Sequence, residues 1–218
     1  MPSTHPPDAL QGRVAGVIVE AAARVLAARP DAASMGDVAA EAGVARATVY
    51  RYFPSRQALV DEVVAAGVDR AGAGLRSARI DQVPVGDGVA RAVRAILTAD
   101  EAMVVATRQR ASERIEEFER VVVGPLRRLL VNGQRAGEIR DDVPARWLAE
   151  ALLTLAVGAV SISPSTGTED TVAAVSSVFL DGARPSPSPP TARAQVAPGE
   201  RTPATRGRTP AAPPGGEG

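Results

Sequence analysis

The stretch from Ser34 to Arg56 reads SMGDVAAEAGVARATVYRYFPSR, and the remainder of the chain is organised around it. Val38 and Ala42 lie four residues apart, which is the spacing of one face of a helix, and Val49 continues the apolar side after Gly43. Glycine readily adopts the left-handed conformation that ends a helix. The stretch therefore predicts two short helices joined by a tight turn, which is a helix-turn-helix.

The second predicted helix and the turn after it present basic, hydroxyl and aromatic side chains on their outward side. These outward residues are Arg46, Ala47, Thr48, Tyr50, Arg51, Tyr52, Ser55 and Arg56. No acidic residue occurs between Val44 and Gln57, so no carboxylate in this segment repels an anion. Guanidinium and hydroxyl groups donate hydrogen bonds to phosphate oxygens, and such a surface suits a nucleic-acid backbone.

The segment resembles the tetracycline-repressor (TetR) family of bacterial transcriptional regulators. The resemblance rests on Asp37, Val38, Ala39, Ala42, Gly43, Val44, Thr48, Tyr50, Tyr52, Phe53, Ser55, Arg56 and Leu59, and by motif it covers roughly residues 10–71. It implies an all-α protein of about nine helices, in which a three-helix helix-turn-helix DNA-binding domain precedes a helical domain for ligand binding and dimerisation. The implied partners are double-stranded operator DNA, a second copy of the chain and a small-molecule effector.

The same resemblance assigns roles to individual residues. Its DNA-backbone positions fall on Ser34, Thr48, Tyr50, Tyr52, Ser55 and Arg56, and its base-edge positions fall on Ala45, Arg46, Ala47 and Arg51. Arg46 and Arg51 are the candidates for guanine, because a guanidinium can span O6 and N7. The alternatives are a solvated face for both arginines, core packing for the two tyrosines and a helix cap for Ser34.

Ala45 departs from the family pattern. The family usually has Ser or Thr at this position, where the side chain caps the recognition helix. An alanine forgoes a cap that contributes about 1 kcal/mol to helix stability. We therefore expect the second helix of the motif to be less rigid in the absence of DNA.

The charge of the chain gives little general support to DNA binding. The 218 residues have a formal net charge of zero, and all 25 basic residues are arginine. Residues 1–79 contain 9 Arg and 8 acids, residues 80–182 contain 11 Arg and 15 acids, and residues 183–218 contain 5 Arg and 2 acids. The prediction of DNA binding therefore depends on the local cluster of Arg46, Arg51 and Arg56 and on the motif.

The composition argues against an enzyme, a metal site or a cofactor. The chain has no cysteine, and its one histidine, His5, lies among prolines near the N-terminus. The charged run from Glu113 to Arg120 has the spacing of a solvated helix with internal ion pairs. No signal peptide is visible, and the apolar stretch from Ala151 to Ile162 is too short to span a bilayer. We expect a cytoplasmic protein without membrane contact.

Spacing and breakers predict the boundaries of the helices. Asp8 and Ser55 are candidate caps of the first and fourth helices, which should end near Arg29 and Ser77. The other short elements of the DNA-binding domain are predicted at residues 35–42 and 45–51. In the second half, the cluster 86–88 is predicted to break the chain before a helix from Val89. Asp100 is a candidate cap of the next helix. A helix over 112–136 is expected to kink at Gly124 and Pro125 and to end at Gly137. The last two helices are predicted over 144–163 and 168–180.

The predicted organisation has four parts. Residues 1–8 and the proline-rich tail 183–218 are expected to be disordered, because they contain too few apolar groups to form a core. Residues 9–71 form the expected DNA-binding domain, and residues 72–182 form the expected ligand-binding and dimerisation domain. The fourth helix connects these two domains.

Two further sites follow from the resemblance. The candidate wall of an effector pocket comprises Met103, Thr107, Ile115, Phe118, Trp147 and Leu148, each of which could instead be ordinary core. The candidate dimer interface lies on the last two helices and comprises Leu152, Leu155, Ala159, Val172, Val175 and Phe179. The first of these helices is apolar around much of its circumference, and burial on two sides explains that better than burial on one.

Two other functions remain open from the sequence. The chain could regulate transcription without a ligand, or under the control of a partner. It could instead be a helical interaction module without DNA binding, which the neutral charge of residues 1–79 and the uncapped Ala45 would favour.

Overall fold

The structure, a computed structural model, describes residues 6–109, 115–162 and 167–185, and every regular element in them is helical. All of them lie in one compact unit, Met1–Ser186. The elements are α1 (Pro6–Ala28), α2 (Met35–Glu41), α3 (Arg46–Tyr52), α4 (Arg56–Ala78), α5 (Val85–Leu97), α6 (Asp100–Arg108), α7 (Ile115–Phe118), a π turn (Glu119–Val123), α8 (Gly124–Arg135), α9 (Ala145–Ile162) and α10 (Thr168–Ala183). Because α7, the π turn and α8 follow without a break, the described residues form nine continuous helices, which confirms the predicted fold class.

Helix α1 supports the two helices of the motif. Its buried side includes Ile18 and Val25, and it ends at Ala28, as Pro30 predicts. One detail of the prediction is wrong, because the helix begins at Pro6, two residues before the expected cap Asp8. Val17, next to the buried Ile18, is 48% exposed.

Helix α4 connects the two halves of the unit. It has 23 residues, so it is about 34 Å long, and its first turn follows α3 while its later turns pack on α5, α6 and the π turn. A Cβ atom on Gly67 would lie 2.6 Å from the carbonyl oxygen of Ala102, and one on Gly72 would lie 2.9 Å from Cγ1 of Val121. Both glycines are therefore needed for the close approach of α4 to α6 and to the π turn.

Two predicted signals in the second half are wrong. Gly88 belongs to α5 and does not break the chain, since that helix already begins at Val85. A side chain on Gly88 would meet Leu129 Cδ1 at 2.6 Å and the carbonyl oxygen of Ile80 at 2.7 Å, so long-range packing requires this glycine. Asp100 does not cap α6. It is the first helical residue, with φ 51°, and the N-cap position is taken by Ala99.

The irregularity predicted at Gly124 and Pro125 takes the form of the π turn. Proline cannot donate a backbone hydrogen bond, and its ring crowds the carbonyl four residues earlier. The wider π turn accommodates both effects, and the Gly124 N–H donates to the carbonyl of Glu119, five residues back. Gly137 has φ 72° directly after the end of α8, as predicted.

The boundary predicted between residues 71 and 72 falls inside α4. The buried apolar side chains form one cluster that continues across this position, from Ile18 in α1 through Val68 in α4 to Leu130 in α8. The expected disorder of residues 1–5 and of the tail from residue 186 onwards concerns parts of the chain outside the described residues.

Within the described ranges, no helix combines the length and the apolar character needed to cross a membrane. In the same ranges, His, Asp and Glu side chains nowhere gather in groups of three or more that could hold a metal ion.

The packing of α4 predicts opposite effects for two glycine-to-alanine substitutions. Gly67→Ala forces a methyl group against the backbone of α6, and overpacking of this kind costs about 1–3 kcal/mol. We expect its melting temperature to fall by about 2–12 °C, since 1 kcal/mol shifts a domain of this size by about 2–4 °C. Gly16→Ala in α1 meets no atom within 4 Å and should raise the melting temperature by about 1–4 °C through its higher helix propensity.

Thermal unfolding followed by far-UV circular dichroism measures both variants. A Gly67→Ala protein that melts at or above the temperature of the parent chain would contradict the proposed close contact between α4 and α6.

Candidate nucleic-acid interface

The start of α2 is held by a capping box, in which Ser34 has the role of a helix cap that the sequence leaves open for it. The backbone N–H of Asp37 donates to Ser34 Oγ at 3.2 Å, and the backbone N–H of Ser34 donates to Asp37 Oδ2 at 2.9 Å. The Ser34 hydroxyl also donates to Asp37 Oδ2 at 2.6 Å. These bonds from Ser34, together with the Arg29 guanidinium, lower the pKa of Asp37. The Ser34 hydroxyl is therefore engaged as a cap in this structure.

The turn between α2 and α3 is a Schellman motif. Gly43 has φ 65°, and its N–H donates to the carbonyl of Ala40 at 3.2 Å, while the Val44 N–H donates to the carbonyl of Ala39 at 3.0 Å. These two bonds satisfy carbonyl groups that the end of a helix leaves without partners. They also set the angle at which α3 leaves α2.

Helix α3 begins without a side-chain cap. Ala45 has extended φ and ψ angles, and no side-chain hydrogen bond closes the first turn, as the sequence predicts. The inward side of α3 is anchored by Val49, which is completely buried, and Phe53 behind it is also buried. The outward side is open to solvent at Arg46, Ala47, Tyr50 and Arg51, whereas Thr48 and Tyr52 are half-buried.

Two arginine–tyrosine pairs form on the outward side. The Arg46 guanidinium lies 5.5 Å from the centre of the Tyr50 ring, and its Nη2 donates to the tyrosine hydroxyl at 3.4 Å, which raises the pKa of Arg46. The Arg51 guanidinium lies 5.1 Å from the centre of the Tyr52 ring. Stacking on aromatic rings restricts both guanidinium groups while their remaining N–H groups stay available.

Two residues at the start of α4 hold this helix in place: Arg56 bonds to the loop before α2, and Ser55 caps the helix. Arg56 Nη2 donates to the carbonyl of Pro30 at 2.7 Å, and its Nε donates to the carbonyl of Ala33 at 3.3 Å. Ser55 Oγ accepts from the N–H of Ala58 at 3.1 Å and caps α4, as predicted. Arg56 thus has a positioning role that the sequence alone did not reveal, because its partners lie 26 and 23 residues away.

A second support was also missed from the sequence. Arg24 Nε in α1 donates to Glu41 Oε1 at 2.8 Å, which connects the C-terminal part of α1 to the last residue of α2. The two residues are 17 apart, so no helical spacing could indicate the pair. Together with Arg56, it holds the motif from both ends.

The residues predicted to form an effector pocket do not come together as one wall. Met103, Phe118 and Leu148 are buried, and the Thr107 hydroxyl is buried without a hydrogen-bond partner. Trp147, in contrast, is 70% exposed, so its assignment to an interior wall is wrong. The side chain of Ile115 lies outside the described residues. Cavities of about 300 to 730 Å³ on the described part of the protein are lined by other residues.

The residues predicted to form a dimer interface divide into two groups. Leu152, Val172 and Phe179 are at most 5% exposed, so they belong to the core of a single chain, and their assignment to a subunit surface is wrong. Leu155 is 40% exposed, while Ala159 and Val175 are half-buried. The sequence does not show which side of each helix the neighbouring helices cover.

The exposed side of α9 and α10 is itself apolar. On α9, exposed residues recur at Trp147, Ala151, Thr154 and Leu155, which is the spacing of one helical face. On α10, Val178 is 63% exposed and lies one turn after Ala174 and Val175. We call this surface the α9–α10 face.

Comparison with known proteins agrees with this geometry. Residues 18–63 match the family model for bacterial regulatory proteins of the tetR family. Over 85 residues the chain is 39% identical to the HTH-type transcriptional repressor LfrR of Mycolicibacterium smegmatis. That match covers 39% of this chain and 44% of LfrR, so it spans less than half the length of this curated relative.

Solved structures share the fold over most of the chain. A bacterial regulatory protein of the tetR family from Rhodococcus RHA1 has a TM-score of 0.65 at 19% identity, covering 79% of this chain and 98% of that one. The TetR-like transcriptional regulator LfrR from Mycobacterium smegmatis, in complex with proflavine, has a TM-score of 0.62 at 23% identity, covering 80% and 99%. The match over residues 18–63 identifies the helix-turn-helix segment as one of the tetR type, and the solved structures show that the chain has the fold of TetR-family regulators.

Proposed function

We propose that the chain is a homodimeric repressor of transcription that binds a near-palindromic operator. The observation that supports this most is the outward side of α3, where arginine and tyrosine side chains are exposed and no acidic residue occurs from Val44 to Gln57. A helix of this kind fits the major groove, and two copies related by two-fold symmetry would reach successive grooves.

The side chains have different roles in this proposal. Arg46 and Arg51, with Ala45 and Ala47 beside them, face the base edges, where a guanidinium can bind guanine through two hydrogen bonds. Thr48, Tyr50, Tyr52 and Ser55 donate hydroxyl hydrogen bonds to phosphates, which position the helix without specifying sequence. Ser34 and Arg56 hold α2 and α4 in place, and their hydrogen bonds within the chain support that role.

The α9–α10 face is the proposed contact between subunits. Trp147, Leu155 and Val178 are large apolar side chains that the single chain leaves exposed. Exposed apolar surface of this kind is stabilised by covering it, and a second copy of the same face would do so under two-fold symmetry.

A small-molecule effector is the proposed signal for release from DNA. LfrR has been crystallised with proflavine, which supports a ligand for a protein of this fold. In this chain, α6 contacts both α4 and α1, and Arg108 Nη1 at its end donates to the carbonyl of Ala27 at 2.9 Å. An effector that binds better to one position of α6 would therefore shift the DNA-binding helices.

A regulator that needs no ligand is the second candidate. The burial of Met103 and Phe118, at 0% and 3% exposure, supports it, because these side chains already fill the region assigned to the effector. An effector would have to displace them or open that region.

The DNA proposal predicts the effects of two substitutions on α3. Arg51→Ala and Tyr50→Ala should each weaken binding to the upstream intergenic DNA about tenfold or more, since each removes a contact worth about 1–3 kcal/mol. Gel-shift titration measures the affinity. Arg135→Ala is the matched control, because it removes an exposed arginine at the end of α8. Unchanged binding by both α3 variants would refute the assignment of α3.

The dimer proposal predicts that Trp147→Glu yields a monomer. A carboxylate at the centre of an apolar contact would be buried without a partner, which strongly disfavours association. Light scattering coupled to size exclusion measures the mass. Val17→Glu is the control, because it places the same charge on another exposed apolar position, in α1. A Trp147→Glu protein with the mass of a dimer would show that this face is not the subunit contact.

The effector proposal predicts a compound that both stabilises the protein and releases DNA. A ligand at about one hundred times its dissociation constant adds about 2.7 kcal/mol to stability, or roughly 5–11 °C in melting temperature. Proflavine and a panel of small aliphatic compounds are the first set to test by thermal shift and then by gel shift. If no compound does both, the ligand-independent regulator is favoured.

A further inference from the structure

A basic hollow lies on the surface where the π turn, α8 and the first turn of α9 meet. Its volume is about 730 Å³, and four arginines line it: Arg120 from the π turn, Arg127 and Arg128 from α8, and Arg146 from α9. The arginines thus reach the hollow from two separate parts of the chain. We call this feature the arginine hollow.

Within the described part of the chain, three of the four guanidinium groups have no ion-pair partner. Arg127, Arg128 and Arg146 have no ion pair and no hydrogen bond with any residue in the described ranges, and only Arg120 approaches a carboxylate there, that of Glu117 at 3.8 Å. Two glutamates, Glu116 and Glu119, also line the hollow. Four arginines against two glutamates leave an excess of positive charge, which favours an anion in the hollow.

The arginine hollow is positively charged although the surrounding part of the chain has more acidic than basic residues. Residues 80–182 contain 11 Arg and 15 acids. Even so, a neighbouring cavity of about 300 Å³ shares Arg128 with the hollow and adds Arg76 and Arg79 from the end of α4, with Asp81 as its acid. A single solvated helix face would alternate its charges instead.

Gly124 is one of the residues that line the hollow. A Cβ atom at this buried residue would lie 3.1 Å from the carbonyl oxygen of Glu119 and 3.6 Å from Nη1 of Arg128. A methyl group there would crowd the carbonyl oxygen of Glu119 and come into ordinary van der Waals contact with Arg128. Gly124 thus lines the hollow without adding a side chain to it.

The hollow is separate from the proposed DNA surface. The neighbouring arginines Arg76 and Arg79 lie at the end of α4, whereas Ser55 and α3 lie at its start, about 34 Å away along the helix. An operator duplex bound by α3 would not reach it. A concave site of this volume is also suited to a small molecule, since such sites are usually about 300–1,000 Å³.

We propose that the arginine hollow binds a small polyanion with two or more adjacent phosphate or carboxylate groups. Guanidinium groups bind such oxygens through paired hydrogen bonds, and groups from α8 and α9 would hold the anion from both sides. The proposal does not depend on the DNA-binding function. A polyanion bound here would connect the π turn, which packs on Gly72 of α4, to α9, which carries the α9–α10 face.

Isothermal titration of the full, DNA-free chain at low ionic strength tests the proposal. Pyrophosphate and citrate are the probes, one for each chemical class, and orthophosphate is the single-anion comparison. We expect pyrophosphate, citrate or both to bind at one site per chain and more tightly than orthophosphate. The double variant Arg127→Gln with Arg146→Gln should bind about tenfold or more weakly, and Arg135→Gln on the same helix should bind as the parent chain does.

Two outcomes would overturn the proposal. One is that neither probe binds more tightly than orthophosphate, and the other is that the double variant binds as tightly as the parent chain. If the double variant instead became monomeric while the parent chain bound neither probe, the arginines would belong to the subunit contact. Because all four arginines are exposed, the variants should retain the melting temperature of the parent, which circular dichroism confirms for each protein used.

Discussion

The contact between Gly67 and the carbonyl oxygen of Ala102 is the constraint on which the arrangement of this protein depends. It brings the backbones of α4 and α6 closer than any side chain would allow, and Gly72 repeats the close approach against Val121 of the π turn. Because α4 starts at the DNA-binding motif and ends among the helices of the second half, these two contacts relate the position of α3 to that of α6. Arg108 completes the connection through its bond to Ala27 of α1. A shift of α6 is therefore expected to move α4 and α1 as well.

The proposed DNA surface depends on few groups, and each of them is held by local structure. The chain around it has almost no net charge, so general attraction to phosphate contributes little. Stacking of Arg46 on Tyr50 and of Arg51 on Tyr52 restricts the guanidinium groups before they meet DNA. The start of α3, in contrast, is less restricted, because Ala45 provides no side-chain hydrogen bond to the first turn of this helix. Order in α3 thus comes from Val49 and the Schellman turn, and DNA would add to it.

Sequence patterns predict correctly those caps and turns that depend on residues close together in the sequence. The capping box of Ser34 and Asp37, the turn at Gly43 and the cap at Ser55 each involve residues within a few positions of one another, and all three are present. The errors occur where distant packing decides the outcome. Gly88 resembles a helix breaker until Leu129 is packed against it, and neither the exposure of Trp147 nor the burial of Leu152 can be known before the neighbours of α9 are placed. The bonds from Arg56 to carbonyl groups of the loop before α2 could not be predicted either, because its partners are remote in sequence.

Coupling between the α4–α6 contact and the DNA surface must act in both directions. Amide hydrogen exchange of the full chain with and without operator DNA measures this directly. We expect bound DNA to slow amide exchange in α3 and also around Gly67 and Ala102. Binding at one end of α4 should restrict the motion of the helix where it packs at the other end. Protection confined to α2, α3 and the first turn of α4 would contradict this coupling.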